Sequence, residues 1–288
     1  MSEERLRIID YINQGNELDV ALACYDLQFP LMLRGPTGIG KTTLVAYLSR
    51  ILNMTLVEKL CTEDTIASDI IGRNLPSGWI DGTATKSLRY KNGAICYLDE
   101  LGEARTDVMT VVHSLTDDRR FLDVEGHNEI LYATERWMFV SSYNPNYQIQ
   151  NKVKPSTAQR FITLDINYPK PEIEETIVKN FLGGTNNGNL KDYNNVNFRK
   201  IKSYEKELEV VPVKDLIKLS NDFRRVAKSS DSFGLREGPG TRLVARTAKL
   251  IQYGLPELLS IEVGMINPLT HDKDQKEQMF DITRKLFR

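Results

Sequence analysis

The chain has 288 residues, 41% hydrophobic and 27% charged, a globular balance that supports one large domain plus a smaller one. Lysine and arginine number 38 against 39 acids, a net charge of −1, so the broad basic face of a nucleic-acid binder is not expected. No run approaches the ~18 apolar residues of a membrane span, and the start "MSEERLRIIDY" lacks a signal-peptide core, so a cytoplasmic chain with no membrane span is expected.

In chain order, short apolar runs alternate with helical patterns, which predicts an α/β fold with strands joined by crossover helices in a parallel sheet. Five candidate strands cover residues 29–33, 55–60, 94–98, 137–142 and 161–166. A glycine-rich turn follows the first, and after it Leu44, Val45, Leu48, Ile51 and Leu52 fall on one helical face. Val108, Val111, Val112 and Leu115 repeat the pattern, with Thr106 expected as N-cap. A third helix opens at Pro171 and is expected to turn Ile173, Ile177 and Phe181 inward. Residues 183–210 are rich in Gly and Asn, then in charge, and are read as a linker or insert. They separate a core over 1–182 from a helical C-terminal piece over 211–288. There "TRLVARTAKLIQYGL" is helical in period, with Thr241 placed to cap and Gly254 to terminate. Cys24, Cys61 and Cys96 lie far apart and read as reduced thiols, Cys96 as core. The three histidines show no ligand spacing, so no built-in metal site is expected.

The turn itself reads Gly35, Pro36, Thr37, Gly38, Ile39, Gly40, Lys41, Thr42, then Thr43, and fits G-x-x-x-x-G-K-[ST]. Glycines allow successive backbone N–H groups to point into one concavity, where they cradle phosphate oxygens at a helix N-terminus. Lys41 would reach the terminal phosphates of ATP, and Thr42 would offer a hydroxyl to Mg²⁺. A strand before the turn and an amphipathic helix after it argue against a chance match.

Farther on, "AICYLDE" is an apolar run that ends in two carboxylates. Asp99 at the strand end can hold Mg²⁺ through its waters, and Glu100 beside it can polarise the attacking water. A switch that only binds nucleotide does not need the second carboxylate. The strand "WMFVSSYNPNY" ends at Asn144, a polar group able to orient the same water. Arg160 follows a helix-like turn just before the last strand; a lone arginine there is most simply solvated, but in an oligomeric ATPase it projects into the neighbouring site. Arg242 stands in the first turn of a C-terminal helix, where it could touch the γ-phosphate and couple a moving lid to nucleotide state.

The order of these elements resembles an AAA+ P-loop NTPase with a small C-terminal helical lid. "GPTGIGKT", "TEDTIASDIIGR", "GWIDGTATKSLRYKNGAICYLDELGEAR", "LTDDRRFL", "SSYNPNYQ" and "KPSTAQRFITLDINYP" narrow it to the MoxR-type branch and its CbbQ/NirQ/NorQ family. "GPGTRLVARTAKLIQYGL" and "INPLTHD" resemble that family's C-terminal domain. The resemblance implies Lys41 and Thr42 in the Walker A element, Asp99 and Glu100 in Walker B, Asn144 as sensor 1, Arg160 as arginine finger and Arg242 as sensor 2. It also makes Arg119 and Arg120 candidates for contact between subunits. Residues 71–83 would be the helix-2 insert, a hairpin facing a pore, with Trp79 either anchored in the core or exposed to that pore. Residues 121–137 would hold a second hairpin before sensor 1. Two departures stand out, the long Asn-rich stretch and "PGTR" where serine is expected before the Thr-Arg pair.

The function implied by the resemblance is that of an ATP-hydrolysing ring chaperone, usually a hexameric homo-oligomer. Such proteins work with a von Willebrand factor A-domain adaptor on a client metalloenzyme: Rubisco, nitric oxide reductase or the nitrite-reduction apparatus. The alternative is a nucleic-acid-dependent motor, since helicases such as the minichromosome maintenance proteins carry similar hairpins. It predicts basic hairpin residues, and "LPSGWIDG" has none. A GTPase is disfavoured because "NKVK" lacks the aspartate of the guanine motif N-K-x-D.

Overall fold

Short segments bounded by turns supply the strands of the first half of the chain, with β-branched and aromatic residues concentrated in the central strands. They are β1 (Leu31–Arg34), β2 (Thr55–Leu60), β3 (Gly72–Leu75), β4 (Gly78–Asp81), β5 (Ala94–Asp99), β6 (Phe121–Val124), β7 (Glu129–Tyr132), β8 (Trp137–Tyr143) and β9 (Ile162–Asp165). The computed structural model describes residues 11–145, 153–183, 211–228, 235 and 237–287, so the Asn-rich linker expected at 183–210 lies outside the described residues from 184 onward.

Five strands form one parallel sheet in the order β2-β5-β8-β1-β9, with Leu31 level with Val140 on one side and Ile162 on the other. The central strands β5 and β8 are buried almost throughout, as expected of strands covered on both faces. Helices α1 (Glu17–Asp26), α2 (Lys41–Ile51), α3 (Ala67–Ile71), α4 (Thr83–Leu88), α5 (Thr106–Leu115) and the short α6 (Pro155–Ala158) belong to the same half. On α2 the buried face is Leu44, Val45 and Leu48, while Ile51 at the helix end is exposed. Val108, Val111, Val112 and Leu115 of α5 face the core as expected. Thr106, however, is the first helical residue and Arg105 takes the cap position. The two smaller sheets are the expected hairpins, β3 against β4 and β6 against β7.

The chain divides into two compact units, Met1–Asn167 and Tyr168–Arg288. This division falls one helix before the boundary expected at 182/183. Helix α7 (Pro171–Gly183) packs on α8 (Val213–Lys228) and α9 (Thr241–Gln252) within the second unit. That unit is helical in all its described elements, continuing through α10 (Glu257–Ile261), a π-type turn (Glu262–Ile266), α11 (Asn267–Leu269) and α12 (Lys273–Leu286). Its apolar centre gathers Val178, Leu216, Phe223, Val244, Ile251, Met265 and Met279.

The expected inward face of α7 requires correction. Glu174, Val178 and Leu182 are buried, Ile173 and Ile177 are half-buried, and Phe181 is 44% exposed. The helix is rotated because Glu174 is drawn inward by Arg224, an attraction that hydrophobic periodicity does not register. Thr241 likewise does not cap α9; Gly240 holds that position and the Thr241 hydroxyl donates to Glu174 Oε1 at 2.8 Å. Gly254 does end the helix, with φ at 108° and Leu255 N–H reaching back to the Leu250 carbonyl at 3.1 Å.

Candidate active site

The carboxyl ends of the parallel strands bring the sequence-predicted residues to one edge of the sheet, where parallel α/β folds bind ligands. β1 ends at Arg34, and the loop from Gly35 to Gly40 leads directly into α2 at Lys41. Two glycines are required by the geometry. Gly35 passes so close to the Ile166 carbonyl that a Cβ would collide with it, and Gly40 turns at φ 103°, the left-handed region. Lys41 is 7% exposed, and its ammonium donates to the Gly35 and Pro36 carbonyls, each at 2.7 Å. The cation is therefore folded over its own loop, where phosphate oxygens can take the place of those carbonyls as acceptors.

Asp99 closes β5 one residue short of the end of β1. Its Oδ2 accepts from the Thr42 hydroxyl at 3.1 Å, so the loop and the strand tip meet. Its Oδ1 accepts from the Tyr97 phenol at 2.6 Å and from the Ser142 hydroxyl on β8. Burial, with the Asp99 charge next, pushes the Tyr97 phenol well above its usual range, which keeps it a proton donor. A hydroxyl and a carboxylate meeting at the head of a phosphate loop are hard oxygen donors. They fit Mg²⁺, which takes few protein ligands beside phosphates and water.

Glu100 follows in the left-handed region, φ 56° and ψ 46°, a conformation that costs a non-glycine residue about 1–3 kcal/mol. Its N–H donates to Ser142 Oγ at 3.0 Å, and its carbonyl starts a 3₁₀ turn over Leu101–Glu103. The carboxyl of Glu103 is raised by burial, then by the charges of Glu100 and Glu63, so negative charge gathers on this side. Asn144 at the tip of β8 is buried, and its amide donates to Thr37 Oγ1 at 3.1 Å, which ties the strand to the loop. Thr37, Lys41, Thr42, Asp99, Glu100 and Asn144 thus share one cluster.

Arg160 does not join it. It precedes β9, and the register of Leu31 with Ile162 and Arg34 with Asp165 puts it at the opposite end of the sheet from Gly35. The four residues of strand rise from the level of Ile162 to Gly35 alone span about 13 Å, beyond the reach of a side chain. Arg160 is exposed, with a long contact to the His113 carbonyl at 3.5 Å. Arg242 is exposed on the first turn of α9 in the other unit. Arg120 serves its own chain, donating to Gln28 and to the Trp137 carbonyl at 2.7 Å, while Arg119 pairs with Asp117 at the surface.

Trp79 is half-buried and anchored. Its indole donates to Asp81 at 2.6 Å and stacks on His127 with centroids 5.4 Å apart, while Asn74 reaches the Gly126 carbonyl at 3.1 Å. Arg89 completes the link with Asp81 at 3.1 Å and Glu129 at 2.6 Å, so the two hairpins are held to each other. Ile80, Ile130 and Tyr132 remain exposed on them. The three cysteines are buried and free, with burial pushing the Cys61 and Cys96 thiols up to about 12.

Tyr97 and Ser142 are not among the sequence-predicted site residues, because neither is the defining residue of a motif. The signal was present in the alternation of a strand: Tyr97 shares a face with Asp99, and Ser142 shares one with Asn144.

Comparison with known proteins identifies the family of the fold. Residues 30–161 match the AAA domain (dynein-related subfamily), and residues 200–286 match the CbbQ/NirQ/NorQ C-terminal domain. Protein NorQ of Paracoccus denitrificans is 38% identical over 96% of this chain and 93% of its own length. Protein CbbQ of Hydrogenophilus thermoluteolus is 35% identical over 95% and 93%. A solved structure of a Thermotoga maritima RuvB mutant shares the fold, with TM-score 0.53 and 16% identity over 95% of this chain and 79% of that one. The chain belongs to the CbbQ/NirQ/NorQ family of MoxR-type AAA+ ATPases.

Proposed function

We propose that this ATPase is the subunit of a ring-shaped motor, a hexameric homo-oligomer in the cytoplasm, that remodels a protein client. The client is a metalloenzyme, either a nitric oxide or nitrite reductase or Rubisco, reached through a von Willebrand factor A-domain adaptor. Its partners are proteins and not nucleic acid. The observation that carries the ring is the place of Arg160 before β9, at the end of the sheet opposite the phosphate loop of its own chain. An arginine that serves the reaction from there must serve the site of a neighbouring copy. Similarity to NorQ and CbbQ over nearly the whole chain, including the family's C-terminal domain, supports the kind of client.

In this reading the 35–43 loop holds the ATP phosphates, and Thr42 and Asp99 hold Mg²⁺. Bound there, the metal would neutralise charge that develops on the transferred phosphoryl group. Glu100 takes the proton of the attacking water while Asn144 orients it. Arg160 from the next subunit stabilises the charge on the oxygens of the γ-phosphate. The unit ending at Asn167 acts as the nucleotide-binding core, and the helical unit from Tyr168, with 183–210 as a variable linker, acts as a lid whose Arg242 senses the nucleotide. The joined hairpins, with Ile80, Ile130 and Tyr132 exposed, are the surface offered to the partner.

The test uses Glu100→Gln, which should bind ATP and not hydrolyse it, as bait in native lysate. The expected capture is an A-domain adaptor with a metalloenzyme, retained with ATP and released without it. Recovery of nucleic acid, or of nothing that depends on ATP, would overturn the proposed load.

A further inference from the structure

Ser142 stands between the Asp99 carboxylate and the backbone of Glu100. It is fully buried on β8, in a register that sets Ser141 beside Leu98 and therefore Ser142 beside Asp99. Its single hydroxyl donates to Asp99 Oδ1 and accepts from the Glu100 N–H. A hydroxyl has one proton to give and lone pairs to receive, so one Oγ can make both bonds, whereas alanine can make neither. The Tyr97 phenol donates to the same Oδ1 from the same strand as Asp99. With both donors on Oδ1, Oδ2 is the oxygen turned toward Thr42. The other bond of Ser142 holds the backbone of Glu100 in its left-handed turn.

We infer that Ser142 is a positioning residue for ATP hydrolysis, one hydroxyl that fixes which oxygen of Asp99 faces the metal and where Glu100 stands. Tyr97 supports only the first of these tasks. The inference rests on Asp99 and Thr42 as the metal holders and Glu100 as the base. Loss of the Tyr97 hydroxyl leaves the Glu100 anchor in place, while loss of the Ser142 hydroxyl disturbs both carboxylates. Groups that orient a metal ligand from outside the coordination shell cost about 10–100-fold in metal affinity or activity when removed.

The experiment compares full-length Ser142→Ala, Ser142→Thr and Tyr97→Phe. Three quantities are read: Mn²⁺ binding to protein loaded with a non-hydrolysable ATP analogue, analogue binding in EDTA, and steady-state turnover. Ser142→Ala should lose about 10–100-fold in both Mn²⁺ affinity and kcat with its EDTA binding intact. Ser142→Thr keeps donor and acceptor and should recover both. Tyr97→Phe should lose metal affinity more than kcat. Wild-type values in Ser142→Ala, or an equal loss of analogue binding in EDTA, would overturn the inference. A Glu100→Gln control separates the two levels: loss of turnover with Mn²⁺ binding kept supports the underlying assignment whatever Ser142→Ala does. If wild-type protein binds no Mn²⁺ with the analogue, the assignment and the inference fall together.

Discussion

Arg224 and Glu174 form a two-pronged ion pair inside the helical unit, with Nη2 2.6 Å from Oε1 and Nη1 2.8 Å from Oε2. Neither side chain is more than 5% exposed. Further contacts hold both partners: Arg224 Nε reaches the Pro239 carbonyl at 2.9 Å, its Nη1 also donates to Asn221 at 3.0 Å, its guanidinium lies 4.2 Å above the Tyr168 ring, and Thr241 donates to Glu174. The pair therefore pins the 238–241 turn from which Arg242 projects. Removal of one partner leaves a buried charge alone, so Glu174→Ala should destabilise the second unit by about 3–5 kcal/mol. Replacement of both partners by apolar residues of similar volume should cost far less. Urea denaturation followed in both variants decides the matter, and a single-site loss below about 1 kcal/mol would equate the pair with a surface bridge.

The distance of Arg160 from its own loop makes a complementation test available. Arg160→Ala alone should lose on the order of 10³-fold in turnover while it still binds nucleotide. Glu100→Gln alone should be inactive as well. Mixed assemblies would contain sites with an intact Glu100 on one subunit and an intact Arg160 on the next, so turnover should return. Mixtures as inactive as their components would mean that the arginine acts within its own chain or not at all.

His113 gives a pH dependence of known sign. Its ring Nε2 lies 2.8 Å from the Thr157 hydroxyl on α6, and burial, then the positive charges of Arg160 and Lys154, hold its pKa below the usual histidine value. The folded chain thus binds fewer protons than the unfolded one in the window just below about 6.5. Stability there must fall as the pH falls. Denaturation midpoints of His113→Gln, compared with wild type between about pH 5 and pH 8, should lack this part of the slope. Parallel profiles would show that His113 titrates as it does in the unfolded chain.

Much of the site was legible because its chemistry is local. The glycine spacing of 35–42 needs only the backbone, and Asp99–Glu100 needs only a strand that ends. Five candidate strands became the five strands of the parallel sheet; continuous apolar runs report the burial of β1, β5 and β8, while the mixed segments β2 and β9 take its half-exposed edges. The resemblance supplied the two hairpins that spacing could not.

Local pattern failed where polar groups were buried in pairs. Glu174 on α7 reads as a solvated acid until Arg224, 50 residues on, is seen to meet it, and the helix face then shifts by one position. Tyr97 and Ser142 belong to different strands, and only the pairing of β5 with β8 brings both hydroxyls to one oxygen of Asp99. The sequence by itself determined the phosphate loop, the strand-end carboxylates, the alternation of strands with helices and, through family resemblance, the kind of ATPase. Only the tertiary structure decided which partners surround those carboxylates and which end of the sheet holds Arg160. Periodicity records whether a side chain leaves water, and the partner it meets there is set by strand order and register between distant segments.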